Sequence, residues 1–271
     1  MPPRRDTVSF LSDYGLADEF VGVVRGVIRT IAPHVAVIDL CHEIEPHDVG
    51  AGALLLARSV QYLPSGVVLA VVDPGVGTTR RAVAVEVEDT GGPTTFVGPD
   101  NGLLAPAVAM AGGATRAVSL TNETYHLPAP GPTFAGRDVF APAAAHLCAG
   151  VDLDDLGESI DSLSLQPGIL PLTRVENGKL IAQVLWVDRF GNVQLNAGPE
   201  DISTLGERVA VRYREEVRTA IRVTTYDDAG PGDVALLVDS YGLLSLAVAR
   251  GSAAEALRLH AGDAVTLEEA T

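Results

Sequence analysis

The chain has 271 residues, 47% of them hydrophobic and 20% charged, with a mean hydropathy of +0.24, which is ample for one large core or two smaller ones and excludes a disordered or collagen-like polymer. Nineteen basic against 35 acidic side chains give a net charge of −16 and an isoelectric point near 4.6. Such a surface repels phosphate backbones and anionic lipid, so neither a nucleic acid nor a membrane surface is expected as a partner.

The first two thirds of the sequence alternate strand and helix patterns. Val8–Ser12 reads as a buried strand that ends in the turn Asp13-Tyr14-Gly15. Asp18 is placed to cap a helix whose apolar positions Phe20, Val24, Ile28 and Ile31 recur at helical spacing before Pro33. Val35–Leu40 is a second strand and Val49–Tyr62 a second helix. Gly66–Val72 is a continuous apolar run, the pattern of a parallel strand covered on both faces, and it ends at Asp73-Pro74-Gly75. Strands follow at Ala82–Glu88 and Thr95–Gly98, and helices at Gly102–Met110 and Val139–Ala149. A Pro-, Gly- and Leu-containing stretch from Ser162 to Gly178 reads as a linker. Beyond it come short alternating segments with turn signals: Lys179–Val187, Gly191–Leu195, Arg208–Tyr213, Val217–Val223, Asp233–Val238 and Leu243–Val248. Only Ser252–Leu259 looks helical there. The expected fold is an α/β N-terminal domain with a mostly parallel sheet over residues 1–165, followed by a small antiparallel β-barrel domain over 178–271.

Several chemistries are excluded by what the residues cannot do. Lys179 is the only lysine, beside 18 arginines, which removes a P-loop lysine and leaves almost no Schiff-base candidate. Gly75-Val-Gly77-Thr-Thr-Arg80 begins like a dinucleotide fingerprint but has arginine at the third glycine. Cys41 and Cys148 are too few for a disulfide framework and read as buried, reduced thiols. The stretch Asp39-Leu-Cys-His42-Glu-Ile-Glu-Pro-His47-Asp48 is rich in ligand types, yet Pro46 keeps its histidines off one helix face, so a solvated turn is expected and no metal. No apolar stretch reaches the roughly 18 residues of a membrane span. The segment Met1–Asp6 lacks a signal peptide's apolar run, so a cytoplasmic protein is expected.

Three clusters point to a ligand. Asp13 and Asp73 each follow an apolar strand, where the sheet ends of an open α/β fold converge on a ligand; a carboxylate there caps a turn or holds a ribose diol or a water. Arg80 follows Asp73 by seven residues. Asp188-Arg-Phe-Gly-Asn192 joins a carboxylate, an aromatic and an amide in one tight turn, where a hairpin needs only Gly191 and Asn192. These residues alone lead to a two-domain protein that binds a small polar, nucleoside-like ligand.

With these motifs in order, together with Gly98-Pro-Asp-Asn-Gly-Leu-Leu104, Thr133-Phe-Ala-Gly-Arg-Asp-Val-Phe-Ala-Pro142 and Asp239-Ser-Tyr-Gly242, the sequence resembles the S-adenosyl-L-methionine (SAM) hydroxide adenosyltransferases, the family that also contains the fluorinase and chlorinase. The resemblance runs over nearly the whole chain and implies hydrolysis of SAM to adenosine and L-methionine. It implies a homotrimer with sites at subunit interfaces and no cofactor, SAM being the substrate. Asp13 then matches the carboxylate that holds the ribose hydroxyls, and Asp73 and Arg80 match two members of the Asp–Arg–His set that activates water. Asp188 and Ser240 match groups on the methionine ammonium, and Phe190, Asn192 and Tyr226 match the adenine side. His47 stands where the fluorinase has a stacking tryptophan. The fluorinase carries tyrosine at the position of Asp73 and threonine at that of Val76, which sets this chain on the hydroxide side and leaves a halide-using enzyme as an alternative. Ala135 occupies the family's histidine position, which implies a slow hydrolase or, as a further alternative, a SAM- or adenosine-binding protein with little turnover.

Overall fold

The computed structural model describes residues 5–89, 92–168 and 171–270, and the chain divides into two compact units, one ending at residue 169 and the other beginning at 170. The first four residues, which bear on the reading of the N-terminus, lie outside the described residues.

The first unit runs β1 (Thr7–Ser12), α1 (Phe20–Ile31), β2 (Ala36–Cys41), α2 (Val49–Ser59), β3 (Val67–Val71), β4 (Ala82–Asp89), β5 (Gly92–Pro99), α3 (Ala105–Met110), β6 (Ala114–Ser119), α4 (Ala141–Cys148) and β7 (Glu158–Ser159). The sheet order is β2-β1-β3-β5-β4-β6-β7. Strands β2, β1, β3 and β5 are mutually parallel, and β4, β6 and β7 extend the sheet in antiparallel fashion. The all-apolar β3 is buried at every residue, as its position inside the parallel part requires. On one face Phe10, Val24, Ile28, Phe140 and Leu147 join α1 and α4 to the sheet; on the other Leu11, Leu56, Phe96 and Leu103 join α2 and α3. Each such side chain contributes about 1.5–3 kcal/mol by leaving water.

Chain direction then positions the site. From β1 the chain passes through α1 to β2 on one side, and through α2 on the opposite face to β3 on the other side of β1. The strand order therefore reverses between β1 and β3, and ligands of open α/β sheets bind outside the carboxyl ends at that point. Ser12 lies opposite Val71 in the register, so the residues that follow, Asp13 and Asp73, leave the sheet side by side.

Local details depart from the sequence reading. The N-cap of α1 is Glu19 with no side-chain cap, so Asp18 does not fill that role; Asp48 caps α2 instead, accepting from the Ala51 amide at 2.8 Å. The second helix ends at Ser59 and tightens into a 3₁₀ turn over Val60–Tyr62. Strands β6 and β7 were not expected: β6 carries Arg116 and few large apolar residues, and β7 is too short for periodicity. The linker reading of Ser162–Gly178 needs correction at its start. Arg81 donates to the Ser164 hydroxyl (3.0 Å) and carbonyl (2.5 Å), and the Gln166 amide donates to Asp100 (2.7 Å), which ties this segment to the α/β unit. Residues 169 and 170 of that stretch lie outside the described residues. Cys148 is buried, Cys41 only partly, and both are free thiols.

The second unit comprises β8 (Arg174–Glu176), β9 (Lys179–Val187), β10 (Val193–Leu195), β11 (Arg208–Tyr213), β12 (Glu216–Arg222), β13 (Val234–Val238), β14 (Leu244–Val248), α5 (Ala253–Leu257) and β15 (Ala264–Glu269). The order β10-β14-β13-β12-β11-β15-β9 closes on itself through the β10–β9 pairing, giving a seven-stranded barrel with β8 appended at its edge. Alternate residues Leu180, Ala182, Val184, Val209, Val211, Val265 and Leu267 fill the interior. One pairing, β12 with β13, is parallel. The closing strand β15 is missing from the sequence reading, because Thr266, Glu268 and Glu269 dilute its two inward residues.

Candidate active site

In the α/β unit the turn after β3 brings Arg80 back onto Asp73. The Arg80 Nε–H donates to Asp73 Oδ1 at 3.0 Å and its Nη2–H to Oδ2, a two-pronged ion pair. The Arg80 Nη1 donates to the Arg81 carbonyl at 2.9 Å and the guanidinium lies 5.3 Å from the Phe140 ring centroid, so the fork is held on three sides. Asn101, in the Gly-Pro-Asp-Asn-Gly motif, donates to the Val72 carbonyl at 2.8 Å and steadies the residue just before Asp73. Burial raises the Asp73 carboxyl above the ordinary aspartate range; the charge and hydrogen bonds of Arg80 oppose that without cancelling it.

Asp13, Asp73, His47 and Ala135 line one cavity of about 250 Å³. Asp13 Oδ2 accepts the His47 backbone N–H at 2.9 Å, and His47 is held at φ 72°, a left-handed conformation uncommon outside glycine and met at functional sites. The sequence reading missed two wall residues, Tyr14 and Phe134. Their rings pack edge to face at 5.6 Å, with Phe20 against Phe134 at 5.0 Å, so one side of the cavity is aromatic. Burial, then the Asp13 and Asp73 carboxylates, raise the Tyr14 hydroxyl's pKa, so it stays protonated. A side chain at Gly136 would collide with that hydroxyl, a fixed reason for the glycine after Ala135. Residues Gly136–Phe140 form a π-type turn leading into α4, a distortion that recurs at functional sites.

Ala135 also lines a second, larger cavity of about 780 Å³, together with Arg80, Asp138 and His126. His126 thus faces the same space as Arg80 despite the prolines between it and Ala135, and burial depresses its pKa more than Glu123 raises it.

The remaining expected residues belong to the barrel unit. Asp188, Phe190, Asn192 and Tyr226 line a pocket of about 600 Å³ there, with Arg250 and Gly251. Asp188 organises the turn: Oδ1 accepts the amides of Phe190 (2.8 Å) and Asn192 (2.9 Å), and Oδ2 accepts Asn192 Nδ2 (2.8 Å). Gly191, at φ 81°, has no room for a side chain against Ser252. The hairpin reading is met, since Asp188 shapes the turn, and the same turn presents Phe190, 77% exposed. Burial and the Asp188 and Asp239 carboxylates raise the Tyr226 pKa, which places those groups together. Ser240 is exposed on the turn after β13 and is not brought to this pocket's wall. Among the described residues no cluster of three or more His, Cys, Asp or Glu side chains is arranged to hold a metal ion.

Residues 8–157 match the SAM hydroxide adenosyltransferase N-terminal domain and residues 182–266 its C-terminal domain. The chain belongs to the SAM hydroxide adenosyltransferase family. It is 45% identical to an (R)-S-adenosyl-L-methionine hydrolase of Salinispora tropica over 94% of this chain and 95% of that protein. It is 28% identical to a fluorinase of an Actinoplanes species over 97% of each. A solved structure of an uncharacterized conserved protein from Thermotoga maritima superposes with a TM-score of 0.87 at 34% identity, covering 97% of this chain and all of that one. Both of the family's domains are thus present, in the family's order.

Proposed function

We propose that this chain hydrolyses S-adenosyl-L-methionine to adenosine and L-methionine, with Asp73 and Arg80 activating the water. The observation that carries this reading is the buried two-pronged Asp73–Arg80 pair, whose Asp73 lines the same cavity as Asp13, in a chain 45% identical to the Salinispora tropica hydrolase and 28% identical to the Actinoplanes fluorinase. Water attacks C5′ of the ribose in line with the departing sulfur, the C5′–S bond breaks, methionine leaves as a neutral thioether and the water's proton passes to solvent. A sulfonium and a developing hydroxide lose charge together in this transition state, so the aromatic, partly buried cavity favours it. Alignment of nucleophile and leaving group supplies at most roughly 7–11 kcal/mol.

In this reading Arg80 stabilises developing hydroxide, Asp73 orients the attacking water, and Asp13 grips the ribose diol. Phe190, Asn192 and Tyr226 take the adenine and Asp188 the methionine ammonium, toward which Ser240 reaches from the turn after β13, outside that pocket's wall. Ala135 supplies no imidazole, so the reaction runs without the family's proton relay and is slow. The reaction as written needs neither cofactor nor metal. Each complete site joins the α/β cavity of one subunit to the barrel pocket of a neighbour in a homotrimer, and a sedimentation run showing a fully active monomer overturns that assembly. A cytoplasmic location fits two free thiols; no helix among the described residues is long and apolar enough to cross a membrane.

Incubation with SAM, followed by chromatography, tests the function. Adenosine and methionine in equal amounts are expected. Intact SAM after long incubation, with the protein shown to bind it, replaces the hydrolase with a binding protein; 5′-chloro-5′-deoxyadenosine formed in chloride replaces it with a halide-using enzyme.

A further inference from the structure

The stretch Asp39–Asp48 reads in sequence as a solvated turn, and the structure contradicts this at His42. Its ring is buried against Phe10, with centroids 4.6 Å apart. Nε2 lies 3.0 Å from Asp39 Oδ1 and Nδ1 lies 2.8 Å from the hydroxyl of Ser12, which is itself fully buried. Asp39 is also gripped by the fork of Arg25 from α1. With a neutral imidazole, one tautomer fits both partners. A carboxylate can only accept, so Nε2 carries the proton toward Asp39 and Nδ1 accepts the Ser12 hydroxyl proton. The Ser12 oxygen is then left as an acceptor, and the Tyr14 backbone N–H points to it at 3.4 Å. A second tie runs in the same direction, the Gly15 N–H donating to the His42 carbonyl at 2.7 Å.

This chain of contacts ends on the segment Ser12–Gly15 and touches neither wall of the cavity directly. The segment carries Asp13 and Tyr14, both of which line the cavity of about 250 Å³. Sheet pairing adds little here: the β1–β3 ladder stops at Ser12, and the Asp13 amide reaches the Val71 carbonyl at 3.4 Å, a contact as long as the one from Tyr14 to Ser12, so the 2.7 Å tie from Gly15 to the His42 carbonyl is the shortest of the three.

We propose that His42 is a positioning residue for ribose recognition: through the Ser12 hydroxyl and its own carbonyl it fixes the backbone that aims the Asp13 carboxylate. This rests on the proposed role of Asp13 toward the ribose diol. A diol held alike in ground and transition state affects KM and not kcat. Loss of the relay therefore weakens ribose binding and leaves the chemical step largely alone.

The test uses two substitutions that each keep one half of the ring's function. In His42→Asn the amide oxygen sits where Nδ1 sits and still accepts from Ser12; in His42→Gln the amide reaches Asp39 and abandons Ser12. Inhibition constants for adenosine and for 2′,3′-dideoxyadenosine are measured beside KM and kcat for SAM. His42→Gln is expected to raise KM and weaken adenosine about 10-fold, with kcat within about twofold, the size of one lost hydrogen bond. His42→Asn is expected to recover adenosine affinity to within about threefold, and the dideoxy compound to bind all forms alike. Equal losses for adenosine and the dideoxy compound, or a fall in kcat with KM unmoved, overturn the proposal. If His42→Gln does not fold, Ser12→Ala removes the same link and is read in the same way. A wild-type protein that binds adenosine but forms none from SAM overturns the hydrolase reading instead, and the two inhibition constants still decide this one.

Discussion

The two units hold their ligand-facing groups in opposite ways. In the α/β unit the Asp73 and Arg80 side chains are 6% and 13% exposed and bonded to each other before any substrate arrives. In the barrel unit Phe190 stands 77% exposed, and its neighbour Asp188 spends three acceptor positions on its own turn. The first arrangement is suited to chemistry, since charges already fixed in place need little reorganisation when charge develops. The second is suited to recognition: an aromatic face on a rigid hairpin gains area when a flat ring covers it. Substitutions in the two units should therefore fail differently, one in rate and folding together, the other in affinity alone.

The largest effect is expected from Arg80→Ala. It leaves the Asp73 carboxylate buried without its cation, which costs about 3–5 kcal/mol of stability, and it removes the cation beside the developing hydroxide, which lowers kcat by roughly 10³-fold. Thermal unfolding and adenosine formation measure the two effects. Arg80→Lys keeps the charge without the fork and should fall between wild type and alanine in both. Retention of kcat within about tenfold in Arg80→Ala would remove the pair from the mechanism.

Next in size is Ala135→His. Position 135 lines both the cavity that holds Asp73 and the larger one that holds Arg80, so an imidazole there can reach the water that Asp73 and Arg80 address. A general base typically contributes about 10²–10⁴ in rate, and kcat should rise by roughly 10²-fold or more. His126 faces the larger cavity too and holds its proton weakly. Should Ala135→His leave kcat unchanged while His126→Ala abolishes it, the relay belongs to His126.

Phe190→Ala sharpens the contrast from the barrel side. Aromatic stacking on a base contributes about 1–3 kcal/mol, so KM for SAM should rise between roughly 5- and 150-fold with little change in kcat. The unfolding midpoint should not move, because an exposed ring has little packing to lose. A drop in midpoint matching that of Arg80→Ala would erase the distinction between the units.

The parts of this protein legible in its sequence are those where one residue's environment is set by its own segment. Strand β3 is apolar at all five positions, and Asp73 follows it, so both the sheet and the carboxylate could be placed. The turn at Asp188 declares itself through Gly191 and Asn192 in the same way. What remained hidden depends on partners far along the chain. His42 reads as part of a solvated turn because its partners, the Phe10 ring and the Ser12 hydroxyl, lie on β1, a different segment of the chain. Strand β15 carries only two inward apolar residues, and it counts as a strand because β9 and β11 leave a gap for it. The roles assigned to Asp13 and the Asp73–Arg80 pair came from family resemblance; register explains only why they are neighbours.

Acid titration offers the smallest effect and the finest separation of the two units. Asp73 must be ionised to hold Arg80 and to orient water, and burial lifts its pKa above the ordinary aspartate value. Between those two values the folded protein keeps a proton that the unfolded chain has released, so the contribution of Asp73 to stability falls as pH rises through that window. Its ionisation thus opposes folding while it enables catalysis. Glu268 in the barrel behaves in the reverse sense. Hydrogen bonds from Lys179 and then Arg212 lower its pKa, so its contribution is present above the ordinary glutamate value and is lost only as pH falls through the lowered one. On lowering the pH from neutrality, kcat/KM should therefore decline first, with an acid limb above the ordinary carboxylate range, while circular dichroism still reports a folded barrel. Coincident loss of activity and of folded signal would show that Asp73 does not set the acid limb, and the catalytic reading of its buried pair with Arg80 would lose its support from pH.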